Sequence, residues 1–272
     1  LYTPYGPHAP STPAPRHARA KVEISEVPGF GNVAGKPAWV AKGAPVKPGE
    51  GRSIERRNMR ALLSVDESVR DIVDALEREG RLRNSIVVFA SDNGLVWGEF
   101  NLIETKNYPY TTPIPLLIRW DAAPQGSPLA GAGRSDTRIV SLADLTATIT
   151  GATGAVLPDL EDGVDLGDGT AQRKELLITA WRNRGERNQL PAYCGVRTER
   201  WLYVHYKGGV EEGYDLSRDP NLLRNLFPTF DADEGTMRPD VVSRLRAQTR
   251  ALCDPAPPGF TWSAEDAGSA AR

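Results

Sequence analysis

Five apolar residues, Ile86-Val87-Val88-Phe89-Ala90, stop abruptly at Ser91-Asp92-Asn93-Gly94. The run is short and β-branched, so it reads as a buried strand. In open α/β sheets ligands collect beyond the carboxyl ends of the strands. An adjacent carboxylate and carboxamide at that point offer hard oxygen donors suited to Ca²⁺, with Mg²⁺ as the alternative. Asp92 and Asn93 are therefore candidate metal ligands. The same Asp-Asn-Gly composition also forms ordinary turns, so a purely structural strand exit stands beside the metal reading.

The rest of the chain divides by composition. Residues 1–50 are rich in proline and poor in periodicity, which predicts extended loop laid over a domain. A helix is expected from near Ile54, because Met59, Leu62, Leu63, Val69, Ile72, Val73 and Leu76 recur at helical spacing and Gly80 supplies a stop. Asp66 falls on that apolar face, where pairing with a neighbouring arginine is the favoured reading over a ligand role. Ile114 to Arg119 reads as a second strand, and Ile139 to Ile149 as a strand end and short helix closed by Gly151. A Gly/Asp-rich stretch follows. Leu176–Thr179 and Trp201–Tyr206 read as strands and Asp240 to Leu252 as a helix, together a small antiparallel sheet packed on one helix.

Composition excludes several classes. The chain has 272 residues, 40% hydrophobic content and a net charge of -2, so it can bury a core and shows no basic stripe of the kind nucleic acid demands. No apolar run approaches the roughly 20 residues of a membrane span. Cys194 and Cys253 could pair in an oxidising compartment, but cysteines this far apart in sequence are more often independent, and that is the favoured reading. Localisation and oligomeric state stay open.

Several ordered blocks carry a family resemblance. After Ser91-Asp92-Asn93-Gly94 come Gly98-Glu99, Lys106, Tyr110 and Ile114-Pro115-Leu116-Leu117-Ile118-Arg119. Upstream stand Gly6-Pro7-His8-Ala9-Pro10 and Lys36-Pro37-Ala38-Trp39-Val40; downstream stand Gly195–Tyr203, Tyr214-Asp215-Leu216-Ser217-Arg218-Asp219-Pro220 and Asn225-Leu226. This order resembles the formylglycine-dependent sulfatases of the alkaline-phosphatase superfamily, in their N-acetylglucosamine-6-sulfatase-like branch. The resemblance implies an α/β fold: a partial alkaline-phosphatase-like sandwich with a C-terminal subdomain of small antiparallel sheet plus helix. It places part of the catalytic domain over 1–150 and the subdomain over 175–253, while composition marks 151–174 as a linker or domain seam and 254–272, rich in Pro, Gly, Ala and Ser, as a disordered tail.

The resemblance also assigns roles. Asp92 and Asn93 match the family's Ca²⁺ ligands, Lys106 the lysine that contacts the sulfate and the leaving oxygen, and His8 the histidine that assists departure of the leaving group. His17 and His205 match nothing. The chain departs from the pattern in three ways. No Cys/Ser-x-Pro-x-Arg motif occurs, since Ser11-Thr12-Pro13-Ala14-Pro15 and Cys253-Asp254-Pro255-Ala256-Pro257 both lack the arginine in place. Phe100 stands where the family's Gly-Glu-His turn has histidine, and Thr111 and Thr112 replace the usual acidic residues. The expectation is the C-terminal portion of a sulfatase, inactive alone, with the formylglycine in an N-terminal half. Complete, it would hydrolyse sulfate monoesters, notably of sulfated sugars. A phosphodiesterase or phosphonate monoester hydrolase of the same superfamily, and a non-catalytic carbohydrate-binding remnant, are the alternatives.

Overall fold

A computed structural model describes residues 1–131, 133–156, 162–181, 190–227 and 237–262. The proline-rich start is mostly extended, as its composition predicts, but contains the short helix α1 (Ala38–Ala41). The long helix α2 (Pro48–Arg78) then begins at Pro48 rather than near Ile54. Proline suits a first helical position because its fixed φ is helical and its missing N–H would have no partner there. Gly51 is needed in the same turn, since a Cβ would come within 1.9 Å of the Trp97 carbonyl oxygen. What reads as a loop signal is thus a helix start pressed against the 97–99 turn.

Helix α2 buries Ile54, Ala61 and Val65. The stripe from Met59 to Leu76 is only half-buried, with Ile72 39% exposed. Asp66 is exposed and pairs with no arginine among the described residues, which corrects the expected ion pair.

Strand β1 (Ile86–Ala90) pairs antiparallel with β2 (Leu116–Trp120), Val88 opposite Ile118. The two form a separate two-stranded sheet. The reading of Ile86–Ala90 as a buried strand is corrected: none of its residues is fully buried, Phe89 is 37% exposed, and Leu117 of β2 is 59% exposed. Helix α3 (Ala143–Thr153) runs through Gly151 and ends at Gly154 in the left-handed conformation. Gly151 sits inside the helix because a Cβ there would lie 2.3 Å from the Asp165 carboxylate. Buried Asp144 accepts the backbone N–H groups of Ser141 and Val164 and pairs with Arg173, so residues 162–173 are tied back to α3.

The C-terminal part is an antiparallel meander of β3 (Glu175–Ala180), β4 (Tyr193–Thr198), β5 (Trp201–Tyr206) and β6 (Glu211–Asp215). Helix α4 (Pro239–Leu252) covers one face, burying Val242 and Leu245 against Val196, Tyr203, Phe227 and Met237. The expected sheet-plus-helix is present with two more strands than periodicity showed. Glycine and cysteine in β4 and two glutamates in β6 obscured their alternation. Cys194 of β4 and Cys253, just past α4, form a disulfide, correcting the reading of independent thiols. Both are buried with Ala192 and Phe260. Phe260 and Trp262 pack around His205, so the part of the tail up to Trp262 is not the disordered segment expected; residues 263–272 lie outside the described residues.

Candidate active site and the buried network behind it

The end of β1 is shaped by local hydrogen bonds. Ser91 Oγ donates to the Asn93 carbonyl at 2.8 Å, Asn93 Nδ2 to the Gly94 carbonyl at 3.0 Å, and the Asn93 N–H to Asp92 Oδ1 at 3.0 Å. With Nδ2 engaged, Asn93 keeps its Oδ1 available. Asp92 is exposed and keeps Oδ2. Gly94 then crosses to the next loop, its N–H donating to the Thr111 carbonyl at 3.1 Å. A Cβ on Gly94 would lie 2.6 Å from that same oxygen, so only glycine permits the approach.

Thr111 holds the loop in which Lys106 sits. Its hydroxyl donates to the carbonyl oxygens of Lys106 and Tyr108, the latter at 2.7 Å. Asp92, Asn93 and the Lys106 loop are thereby joined through two residues. The Lys106 side chain is half-buried and has no hydrogen-bond or ion-pair partner among the described residues. His8 is exposed elsewhere, in a loop whose Gly6 lies against Ala61 and Val65 of α2. Its Nδ1 is 2.9 Å from the Ala9 carbonyl oxygen, and a carbonyl only accepts, so this contact places a proton on Nδ1 and leaves Nε2 available. No contact joins His8 to Asp92, Asn93 or Lys106 among the described residues.

Phe100, in the position of the expected histidine, is not a site group. It is wholly buried, with φ 55°, and its ring lies 3.9 Å from Lys36 Nζ. Its neighbour Glu99 is also buried and accepts the Trp97 N–H at 2.6 Å. Burial raises the Glu99 carboxyl above its ordinary range, the nearby Glu55 charge adds to that rise, and backbone N–H groups oppose it.

Lys36 belongs to a network the sequence reading did not find. The fully buried Glu212 carboxylate accepts the hydroxyls of Tyr108, Tyr206 and Tyr214, with Tyr108 at 2.8 Å. Lys36 Nζ donates to the Tyr214 hydroxyl at 2.7 Å and to the Leu222 carbonyl, and stands 3.9 Å from Glu212. Burial pushes the Lys36 ammonium down to about 8, opposed in part by Glu212 and Asp219. Burial first, then the Glu212 charge, raises the hydroxyls of Tyr108, Tyr206 and Tyr214 well above the usual tyrosine range. A paired, fully hydrogen-bonded carboxylate is the form in which a charge survives in a core. Here it links the N-terminal block, the Lys106 loop and the C-terminal sheet. The available signal was a glutamate inside a strand otherwise flanked by buried tyrosines.

A family model described as Sulfatase matches residues 2–155. The bovine N-acetylglucosamine-6-sulfatase is 30% identical over 273 residues, covering 84% of this chain and 47% of that protein. A solved protein in complex with its substrate D-glucosamine-2-N,6-O-disulfate superposes with a TM-score of 0.59 at 22% identity, covering 76% of this chain and 42% of that one. The phosphonate monoester hydrolase of Silicibacter pomeroyi superposes with a TM-score of 0.65 at 15% identity, covering 92% and 54%. The chain belongs to the sulfatase family, in its N-acetylglucosamine-6-sulfatase-like branch, and its fold is the mixed α/β, alkaline-phosphatase-like one expected. It spans less than half the length of the curated relatives it matches.

Proposed function

We propose that the chain is part of an enzyme that hydrolyses sulfate monoesters of sugars. The observation that carries this reading is the junction of Asp92 and Asn93 with the Lys106 loop through Gly94 and Thr111. A sulfate monoester is an anion, and attack at sulfur builds further charge on the sulfonyl and departing oxygens, so fixed cations are required. Lys106, with no hydrogen-bond or ion-pair partner among the described residues, is the side chain suited to face that charge. His8 would supply a proton to the departing oxygen; its separation from the Lys106 loop leaves substrate to bridge the two. The bovine relative's name and the bound disulfated glucosamine of the solved relative support a sulfated sugar over other esters.

The donors at Asp92 and Asn93 fit Ca²⁺ in chemistry, being hard oxygens with one atom each left available. Bound there, the cation would neutralise charge on the ester oxygens. Two donors are a minority of a shell of six to eight, and no group of three His, Cys, Asp or Glu side chains gathers among the described residues. Calcium affinity of this chain is therefore expected to be weak, the rest of the shell and the formylglycine coming from residues outside it. Calorimetric titration of Ca²⁺ into the chain and into Asp92→Ala tests the assignment: micromolar affinity that survives the substitution would overturn it. Turnover of an aryl sulfate by a longer protein carrying a Cys/Ser-x-Pro-x-Arg segment, against an aryl phosphonate, tests the reaction class.

A further inference from the structure

Helix α2 and the turn at residues 97–99 enclose oxygen donors that the proposed reaction does not use. The two elements touch closely: a Cβ on Gly51 would come within 1.9 Å of the Trp97 carbonyl oxygen, and the Phe30 ring lies against both Gly51 and Gly98. Glu55 stands one turn beyond Gly51 on the same helix face, and Asn58 follows it by a further turn. Glu55 is 0% exposed, Asn58 4% and Glu99 4%. Glu55 Oε1 accepts the Ser25 N–H at 2.9 Å, and Glu99 Oε2 accepts the Trp97 N–H at 2.6 Å. Glu55 Oε2 and Asn58 Oδ1 are buried without a hydrogen-bond partner among the described residues. Burial raises the Glu99 carboxyl, and the Glu55 charge adds to that rise, so the two carboxylates lie in each other's field.

No lysine, arginine or histidine pairs with Glu55 or Glu99 among the described residues. Buried carboxylates are kept ionised by a paired cation or a metal. The backbone N–H groups satisfy one oxygen of each but bring no full charge. Enclosed water would satisfy the remaining oxygens and leave the charge uncompensated, whereas a divalent cation does both. Asn58 adds a buried neutral oxygen on the helix face that carries Glu55. Mg²⁺ holds on to several of its waters, while Ca²⁺ accepts irregular sets of carboxylate and carbonyl oxygens, with carboxylates able to bind through both atoms. We propose that Glu55, Asn58 and Glu99 form a buried structural Ca²⁺ site that fastens the 97–99 turn to α2, separate from the exposed Asp92 and Asn93 pair. The site does not depend on the reaction proposed above.

An ion enclosed in this way is taken up on folding and leaves slowly, so it is carried through purification and does not show in a titration of the exposed pair. The test is therefore the metal content of the desalted chain, measured by atomic emission, after any weakly held ion at Asp92 and Asn93 has been lost. The chain is expected to carry about one Ca²⁺. E55Q/E99Q keeps the shape of both side chains, removes both charges, and should carry less than about a tenth as much. Asp92→Ala should keep the full content. A chain free of Ca²⁺ overturns the proposal and leaves a proton shared between the carboxylates, or enclosed water, in its place. Ca²⁺ retained in E55Q/E99Q overturns it too, as does Ca²⁺ lost in Asp92→Ala, which would put the ion at the end of β1. Another metal in its stead overturns the assignment to calcium. Should E55Q/E99Q not fold, Asp92→Ala refolded from urea with Ca²⁺ should melt at least about 5 °C higher than the same chain refolded with a chelator, and equal melting overturns the site.

Discussion

Tyr108 donates its buried hydroxyl to the Glu212 carboxylate at 2.8 Å, across 104 residues of sequence. The bond anchors the loop two residues beyond Lys106 to a strand of the C-terminal sheet. Tyr108→Phe removes one hydrogen bond to a charged acceptor and is expected to cost about 1.5–3 kcal/mol. Glu212→Ala leaves three hydroxyls and the Lys36 ammonium without their common partner, and should cost about 3–5 kcal/mol. Urea unfolding of the two variants checks the order. Amide exchange should also speed up around residues 105–112 in Tyr108→Phe, and unchanged exchange there would show that the loop does not depend on the bond.

Lys36 gives a pH dependence of definite sign. Its folded pKa, about 8, lies below the ordinary lysine value of 10.5. Between those two values the unfolded chain binds more protons, so this group makes the fold more stable as pH rises through the window. The gain is bounded by about 3 kcal/mol. Above about pH 10 the buried tyrosines act oppositely, because their raised folded pKa values mean that the unfolded chain loses protons first. Melting temperatures from pH 7.5 to 11 should rise and then fall. Lys36→Met should abolish the rise, and a rise that persists would assign it to another group.

The Cys194–Cys253 disulfide closes a separation of 59 residues. In the chain-entropy description a loop of that length contributes about 4 kcal/mol by restricting the unfolded state. Replacing both cysteines with alanine, or adding a reductant, should lower stability by an amount of that order, measured by denaturant titration. A difference below about 1 kcal/mol would mean that the buried contacts of Ala192 and Phe260 hold the two segments together unaided.

In a longer protein that turns over, Lys106→Ala should reduce kcat/KM by roughly 2–4 kcal/mol of transition-state stabilisation, the scale of one preorganised electrostatic donor. His8→Ala should hurt alkyl sugar sulfates more than activated aryl sulfates, because poor leaving groups need a proton. Equal losses on both substrates would make His8 an anion-binding group.

The strand Trp201–Tyr206 was legible from its run of aromatic and β-branched residues, and the helix from Asp240 to Leu252 because Val241, Val242, Leu245 and Leu252 recur on one face. The loop carrying Lys106 was legible only through its resemblance to a family, since nothing in Lys-Asn-Tyr-Pro states what it faces. Glu212 was hidden for a different reason. A charged residue in a strand reads as solvent-facing unless its partners are known, and these come from positions 36, 108, 206 and 214. The disulfide was equally opaque, because pairing depends on where β4 and the end of α4 meet in space. Phe100 shows the converse limit: alignment with a motif located the residue, but only packing revealed that its ring supports Lys36.

The bond between positions 108 and 212 also sets an order of events during synthesis. Translation at about 5–20 residues per second takes some 5–20 seconds to reach Glu212 after Tyr108 has been made. Throughout that interval the nascent Lys106 loop has its threonine contacts but no anchor. A premature stop between the two positions would leave it so permanently, which makes a codon 104 positions downstream of Tyr108 a condition for the geometry of the loop that carries Lys106.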